Sequence, residues 1–287
     1  MKIVGRYKSS KNLGIVLCAI IIVLLSSCAS KDSKTIINVI TREQGSGTRT
    51  AFIEITGVLE KDGQGRETDN TYEEAVVQNS TEAVLNAVSN DENAIGYISL
   101  GSLNDTVKAV KVDGAEVNSE NIKNGSYKIQ RPFTMVYNKD ISEEALDFIK
   151  YIESDEGQKV VEDMGYVSDM RGITYETTNS EAKITIAGST SVSPLMEKLV
   201  ENYKKFNPKF KADIQATGSS AGIKSVQEGS AEMGMSSREL KDSEIELNSS
   251  IIARDGIAVV VNKDAPVEDL SLEKIKDIFE GKLTSWE

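Results

Sequence analysis

The sequence predicts an α/β fold made of two modest lobes. Three observations point there. Short apolar runs of strand length alternate with runs whose apolar residues recur at helical spacing. Three strand–turn–helix corners share one composition, glycines plus hydroxyls: residues 42–49 (REQGSGTR), 188–193 (GSTSVS) and 218–222 (GSSAG). The 287 residues, less an N-terminal targeting segment, suffice for two units of ordinary size.

In chain order, 36–40 reads as a strand. The run after residue 49 reads as a helix with Ala51, Phe52 and Ile55 on one face. Residues 61–70, with Gly63 and Gly65, read as a loop. Asn79 or Ser80 caps a helix carrying Val84, Leu85 and Val88. Residues 94–100 (AIGYISL) and 107–112 read as strands, and 113–125 as polar turn. A strand at 132–138 follows. Ser142 caps a helix with Ala145, Leu146, Ile149 and Ile152 inward. Ser154 starts another with Val160, Val161 and Met164, which Gly165 stops. Residues 171–182 are polar and linker-like. Strands at 184–187 and 212–216 each lead into a corner. Pro194 suits a first helical position, with Leu195, Leu199, Tyr203 and Phe206 lining the face behind it. Ile223 and Val226 mark a short helix. Strands at 233–235 and 256–262 and a helix at 271–279, stopped near Gly281, complete the pattern.

Residues 1–28 are expected to lie outside the fold. Lys2, Arg6, Lys8 and Lys11 precede an apolar stretch, 13–25, too short to span a membrane with assurance. Leu25-Ser26-Ser27-Cys28 resembles a bacterial lipobox, in which the cysteine is acylated and becomes the mature N-terminus. An uncleaved anchor or an ordinary signal peptide are the alternatives. Residues 29–35 form a polar tether. Cys18 leaves with the signal and Cys28 carries lipid, so no disulfide is expected in the mature chain. The segment takes four of the 33 basic residues with it. The remaining 29 against 45 acidic residues give a formal charge of −16. Such a surface repels nucleic acid and anionic lipid. Any anion site must therefore act locally, through amides, hydroxyls and one or two guanidiniums.

The chain has no histidine. That removes the usual general base, the usual zinc ligand and every Ser-His-Asp arrangement. The match of residues 218–222 to G-x-S-x-G therefore reads as accidental, with a Ser-Lys hydrolase using Ser220 as the remaining enzymatic alternative. No P-loop and no G-x-G-x-x-G is present, which argues against nucleotide binding. No metal or cofactor is implied.

The corners have chemistry in common. Gly45 and Gly47 let the backbone turn and approach a ligand, Ser46 and Thr48 bring hydroxyls, and Arg42 and Arg49 bring planar donors. The first amides of each following helix have no intrahelical acceptor and carry partial positive charge. One such corner is also an ordinary helix start. Three of them, at the carboxyl ends of strands, point to several helix N-termini converging on one anion.

Together the motifs resemble the PstS-type phosphate-binding proteins of bacterial ABC transporters. The resemblance rests on AGSTSVSP at 187–194, ATGSSAG at 216–222, GMSSR at 234–238, DGIAVVVN at 255–262, REQGSGTR at 42–49 and EGQKVVEDMGYV at 156–167. It implies a two-lobed, type II periplasmic-binding-protein-like fold with phosphate between the lobes. Relative to the family the parts are shuffled: the family's second part, about 36–167, precedes its first, about 184–287. This resembles a circular permutation, the old ends fused through 168–183; a rearranged gene fragment is the rival reading. Lobe A is then expected at 36–126 plus 263–287 and lobe B at 139–251, with crossover strands at 127–138 and 252–262.

By the same resemblance, Ser191 and Ser219 should bind phosphate by hydroxyl and amide, with the Val192 amide beside Ser191. Arg42 should give a charge-assisted bond, and Ser46, Gly47 and Thr48 should donate amides and hydroxyls. Ser237 stands where well-known members carry an aspartate that accepts the proton of hydrogen phosphate, which weakens the expected rejection of sulfate unless Glu43 or Asp255 supplies an acceptor. For Arg49 and Arg238, ion pairing is expected rather than ligation. The resemblance implies a monomeric, lipid-anchored receptor on the extracytoplasmic face, partnered with inorganic phosphate and a membrane permease. A sulfate or molybdate receptor and a non-transport anion-sensing lipoprotein are the alternatives.

Overall fold

The computed structural model describes residue 1 and residues 36–168, 172–178 and 181–286. The rest of the expected signal segment, Cys28, the tether 29–35 and parts of the linker lie outside the described residues. Among the described residues no helix is long and apolar enough to cross a membrane.

The elements run β1 (Asn38–Arg42), α1 (Gly47–Thr56), β2 (Leu59–Lys61), β3 (Glu67–Asp69), β4 (Val76–Gln78), α2 (Thr81–Ser89), β5 (Ala94–Ser99), β6 (Val107–Ala109), β7 (Lys111–Val112), α3 (Ser119–Lys123) and β8 (Gln130–Tyr137). They continue with α4 (Glu143–Glu153), α5 (Asp155–Asp163), β9 (Lys183–Gly188), α6 (Ser193–Phe206), β10 (Lys211–Gln215), α7 (Ser219–Gln227), β11 (Met233–Ser236), β12 (Asn248–Asn262), β13 (Asp269–Leu270) and α8 (Leu272–Phe279). Local chemistry accounts for most starts and stops. Ser46, Ser80, Asn118, Ser142, Ser154 and Ser271 sit in extended backbone and accept an amide from the third residue on, which satisfies one of the orphan donors of each helix. Helix α1 ends on Gly57 in the left-handed region, which lacks a Cβ penalty there.

Most strands form one mixed sheet in the order β10-β9-β11-β8-β12-β5-β1-β4, with β6 also paired to β12. β9 pairs in parallel with β10 and β11, and β1 in parallel with β4 and β5. The two parallel blocks are joined by the antiparallel pair β8–β12. β12 runs beside β8 from Asn248 to Gly256, with an irregularity between Ile251 and Ala253, and then beside β5 from Ile257 to Val261. The apolar side chains divide accordingly. One core holds Phe52, Val84, Ile95, Tyr97, Ile129, Val259 and Ile278. A second holds Phe133, Phe148, Val161, Ile186, Leu195, Tyr203 and Ala253, with a small satellite around Ile223 and Val226. The change of core falls between Ile129, just before β8, and Phe133 on it, and between Ala253 and Ile257 on β12.

The structure departs from the sequence reading at several places. Residues 61–70 are not a bare loop: β2 and β3 pair there as a short antiparallel hairpin, largely exposed and so without an apolar pattern. The polar stretch 113–125 contains the short helix α3, capped by Asn118 and tied down by buried Ile122. β12 begins eight residues before the expected strand; its first half pairs with β8, bridges to Val167 at Arg254, and leaves Ser249 and Ile251 exposed, which broke the apolar run. The linker is anchored through Tyr175, whose hydroxyl donates to Asp147 Oδ2 at 2.6 Å while accepting from Asn207 Nδ2 at 2.8 Å.

Candidate anion-binding site

The three hydroxyl corners meet, and a fourth helix start joins them. β1 delivers residues 42–48 to the start of α1, β9 delivers 188–193 to α6, and β10 delivers 216–219 to α7. β11 ends at Ser236 and places Ser237 beside them. α2 contributes Thr81. All of Ser191, Val192, Ser219, Ser237, Arg42, Ser46 and Thr48 are buried, as is Gly47.

The contacts join residues far apart in the chain. Thr48 Oγ1 lies 2.8 Å from Ser191 Oγ. Ser189 Oγ donates to Ser237 Oγ at 2.9 Å, and Ser219 Oγ lies 3.3 Å from the same oxygen. The Ser237 amide donates to Ser219 Oγ at 3.2 Å. The Ser220 amide donates to the Gly45 carbonyl at 3.2 Å, stitching the start of α7 to the turn before α1. Gly47 is where these parts come closest. A Cβ there would stand 2.4 Å from Ser219 Oγ and 2.7 Å from Ser237 Oγ, well inside contact distance. Gly218 precedes α7 at φ 93°, a backbone that only glycine takes up without strain.

Arg42 is held from several sides. Its Nε and Nη2 donate to the Glu43 carboxylate at 2.8 and 2.9 Å, a bidentate pair. Nη2 also donates to Thr190 Oγ1 at 3.2 Å. Its amide donates to the Tyr97 hydroxyl at 3.1 Å, and that ring stacks on Phe52 with centroids 4.0 Å apart, so the first core fixes the end of β1. The pair with Glu43 largely neutralises the guanidinium. Attraction for an anion must therefore come mainly from hydroxyls and helix-start amides, which bring no counter-charge of their own.

Several details differ from the expected arrangement. The Ser46 amide donates to the Glu43 carbonyl at 3.0 Å, the Val192 amide to the Ser189 carbonyl at 3.2 Å and the Ser191 amide to Ser189 Oγ at 3.2 Å; all three are spent inside their own turns. Ser46 Oγ accepts from the Arg49 amide at 3.3 Å, so it caps α1. Arg49 pairs with Asp69 at 2.6 Å, and Arg238 with Glu244 at 2.8 Å. Ser220 Oγ accepts from Arg238 Nη2 at 3.3 Å. An always-charged guanidinium cannot act as a base, so this contact does not activate Ser220 as a nucleophile.

Ser189, Thr190 and Thr81 belong to the cluster although the sequence reading assigned them no role at the site. The first two sit in a turn already noted for its hydroxyls. Thr81 carried no such signal, because Asn79 and Ser80 beside it accounted for the helix start.

A second buried layer lies behind Ser237. Arg131 on β8 donates Nη1 to the Ser237 carbonyl at 3.1 Å and pairs with Asp255 on β12 at 3.0 Å. Asp255 Oδ1 accepts from Ser99 Oγ at 2.9 Å and the Leu100 amide at 3.1 Å. Complete burial pushes the Asp255 carboxyl up to about 6, against the pull of Arg131 and those two donors. Asp255 is thus committed to the two sheet-joining strands, whereas Glu43 is the carboxylate that stands at the corners themselves.

The comparisons agree with this geometry. The PBP superfamily domain pattern matches residues 29–156 and 174–287. Phosphate-binding protein PstS 2 of Streptococcus agalactiae is 49% identical over 269 residues, 92% of this chain and 92% of that one. Phosphate-binding protein PstS of Bacillus subtilis is 33% identical over 111 residues, 37% of each chain. The crystal structure of a phosphate ABC transporter phosphate-binding protein from Streptococcus pneumoniae superposes with a TM-score of 0.69 at 49% identity, covering 88% of this chain and 98% of that one. With its two cores, its joining strands and its ring of helix starts, the chain belongs to the PBP superfamily and, within it, to the PstS family of phosphate-binding proteins.

Proposed function

We propose that this protein captures inorganic phosphate on the extracytoplasmic side of the membrane and presents it to the permease of an ABC transporter. One observation carries the reading: hydroxyls from four separate helix starts, together with Arg42, surround one buried point. A tetrahedral oxyanion offers lone pairs in several directions and needs donors from several directions. The two cores act as lobes and β8 and β12 as the hinge, with 36–126 plus 263–287 on one side and 139–251 on the other. Phosphate favours the closed form because only there do the corners of both lobes reach it at once.

Ser191, Ser219, Thr48 and Arg42 are the principal ligands in this reading, with the amides of Gly47 and Thr48. Ser237 supplies a hydroxyl. Glu43 is placed to accept the proton of hydrogen phosphate, a task no carboxylate performs at position 237. Cys28 carries a lipid that holds the monomeric receptor at the membrane. The order of the parts is a circular permutation. Two things support it: the streptococcal relative matches nearly end to end while the Bacillus relative matches over about a third, and Ile36 and Ser285 form an antiparallel bridge that brings the two ends of the described fold together. A receptor for sulfate or molybdate is the second reading, favoured by the uncharged Ser237.

Thermal melting of the mature chain separates these readings. A ligand at 100 times its Kd stabilises the folded form by about 2.7 kcal/mol. Phosphate should raise the melting temperature at micromolar concentration, with sulfate and molybdate at least about tenfold weaker. No shift with phosphate, or a larger one with sulfate, contradicts the proposal.

A further inference from the structure

We infer that Thr81 is a positioning residue for anion binding, which keeps the Ser191 hydroxyl oriented as a donor toward the ligand. The inference rests on the reading of this site as a phosphate site and adds to it a residue from a helix start that the family motifs do not include.

Thr81 is the first residue of α2, and its burial is nearly complete. Its hydroxyl has no capping duty, because Ser80 Oγ already accepts the Ala83 amide at 3.1 Å. It does not serve the core either, which α2 reaches through Val84, Leu85 and Val88. Instead Thr81 Oγ1 lies 3.1 Å from Ser191 Oγ, 3.4 Å from Thr190 Oγ1 and 3.5 Å from Arg42 Nη1. These are residues 110, 109 and 39 positions away, drawn from two different corners. A buried hydroxyl without a role of this kind costs more than the valine that would fill the same space.

The direction of the bonds follows from what each group can do. A guanidinium only donates, so Thr81 Oγ1 accepts on the Arg42 side. Its single proton is then free to point at Ser191 Oγ. A serine hydroxyl that accepts from behind keeps its own proton for the front, where Thr48 and the anion lie. The unprotonated oxygens of the anion only accept, so a hydroxyl that faces one of them must be oriented as a donor beforehand. Thr81 does this for Ser191, and it ties that orientation to the position of Arg42.

Calorimetric titration with inorganic phosphate tests the inference on five full-length mature proteins: the parent, Thr81→Val, Thr81→Ser, Thr81→Val combined with Ser191→Ala, and Ser191→Ala alone as the reference for the double variant. Thr81→Val keeps the shape and removes the hydroxyl. It should weaken phosphate binding by about tenfold or more, the worth of a hydrogen bond to a charged group, and move the melting temperature of the ligand-free protein little. Thr81→Ser should recover most of the loss. In the Ser191→Ala background, Thr81→Val should cost less than about threefold, because its effect passes through Ser191. Equal losses in both backgrounds, or a serine variant as weak as the valine variant, would assign Thr81 to packing and overturn the inference. Parent-like affinity in Thr81→Val overturns it while leaving the phosphate reading intact; a parent that ignores phosphate sinks both.

Discussion

Replacing Gly47 by alanine should separate ligand affinity from stability in this protein. The added Cβ would sit 2.4 Å from Ser219 Oγ and 2.7 Å from Ser237 Oγ. Gly47 belongs to the half packed on the first core, whereas α7 and β11 pack on the second core and its satellite. The clash therefore arises only where the two halves meet, and they can relieve it by moving apart. Overpacking of this kind costs about 1–3 kcal/mol. At about 1.4 kcal/mol per decade, phosphate should bind about 5- to 150-fold more weakly. When the halves are apart, alanine is the better residue at a helix start, by about 0.4–1 kcal/mol through the unfolded chain. The variant should thus bind poorly and melt no lower than the parent without ligand. Calorimetric titration and a thermal melt on the same sample measure both. An unchanged Kd would refute the reasoning, since it would mean that the halves never close to this separation around the ligand.

Further outcomes follow from the ion pair, the acceptor and the chain order. The raised Asp255 carboxyl binds its proton more tightly in the folded than in the unfolded chain, so it contributes stability below about pH 4 that is lost as pH rises to about 6. The stability of the parent relative to Asp255→Asn should fall across that window and stay flat above it; a flat difference throughout would mean the carboxyl titrates normally. Glu43→Gln removes the acceptor at the corners and also frees Arg42, so it should narrow the preference for phosphate over sulfate, read as the ratio of the two Kd values; an unchanged ratio places the discrimination elsewhere. A chain re-joined from residue 286 to residue 36 by a short flexible linker and opened between 168 and 172 keeps Tyr175 on its anchor, and should fold and bind phosphate within about threefold of the parent. An insoluble or inactive product would count against the permutation.

Much of the candidate site was legible because its chemistry is local. Glycine next to hydroxyl next to helix start is visible in six or seven residues, and so are the helix starts at Ser80, Ser142 and Ser154. What escaped notice depends on contacts between distant residues. Thr81 looks like an ordinary helical threonine until Ser191 is brought beside it. Tyr175 sits in a stretch polar enough to pass for a free linker, yet it bonds Asp147 and Asn207 across 28 and 32 positions. The hairpin β2–β3 and the first half of β12 were obscured for another reason. Both lie at exposed edges, where burial imposes little alternation on the sequence. The amides of Ser46 and Val192 show the limit of motif matching, since a motif places a residue without saying which turn its N–H must close.

The measurement that bears most directly on a site built by converging helix starts is a calorimetric titration of the mature chain with phosphate, repeated on Ser219→Ala. We expect one phosphate per chain with micromolar or tighter Kd, and a loss of about tenfold or more in the variant. Heat from sulfate but not from phosphate, or no heat from either, would contradict the account.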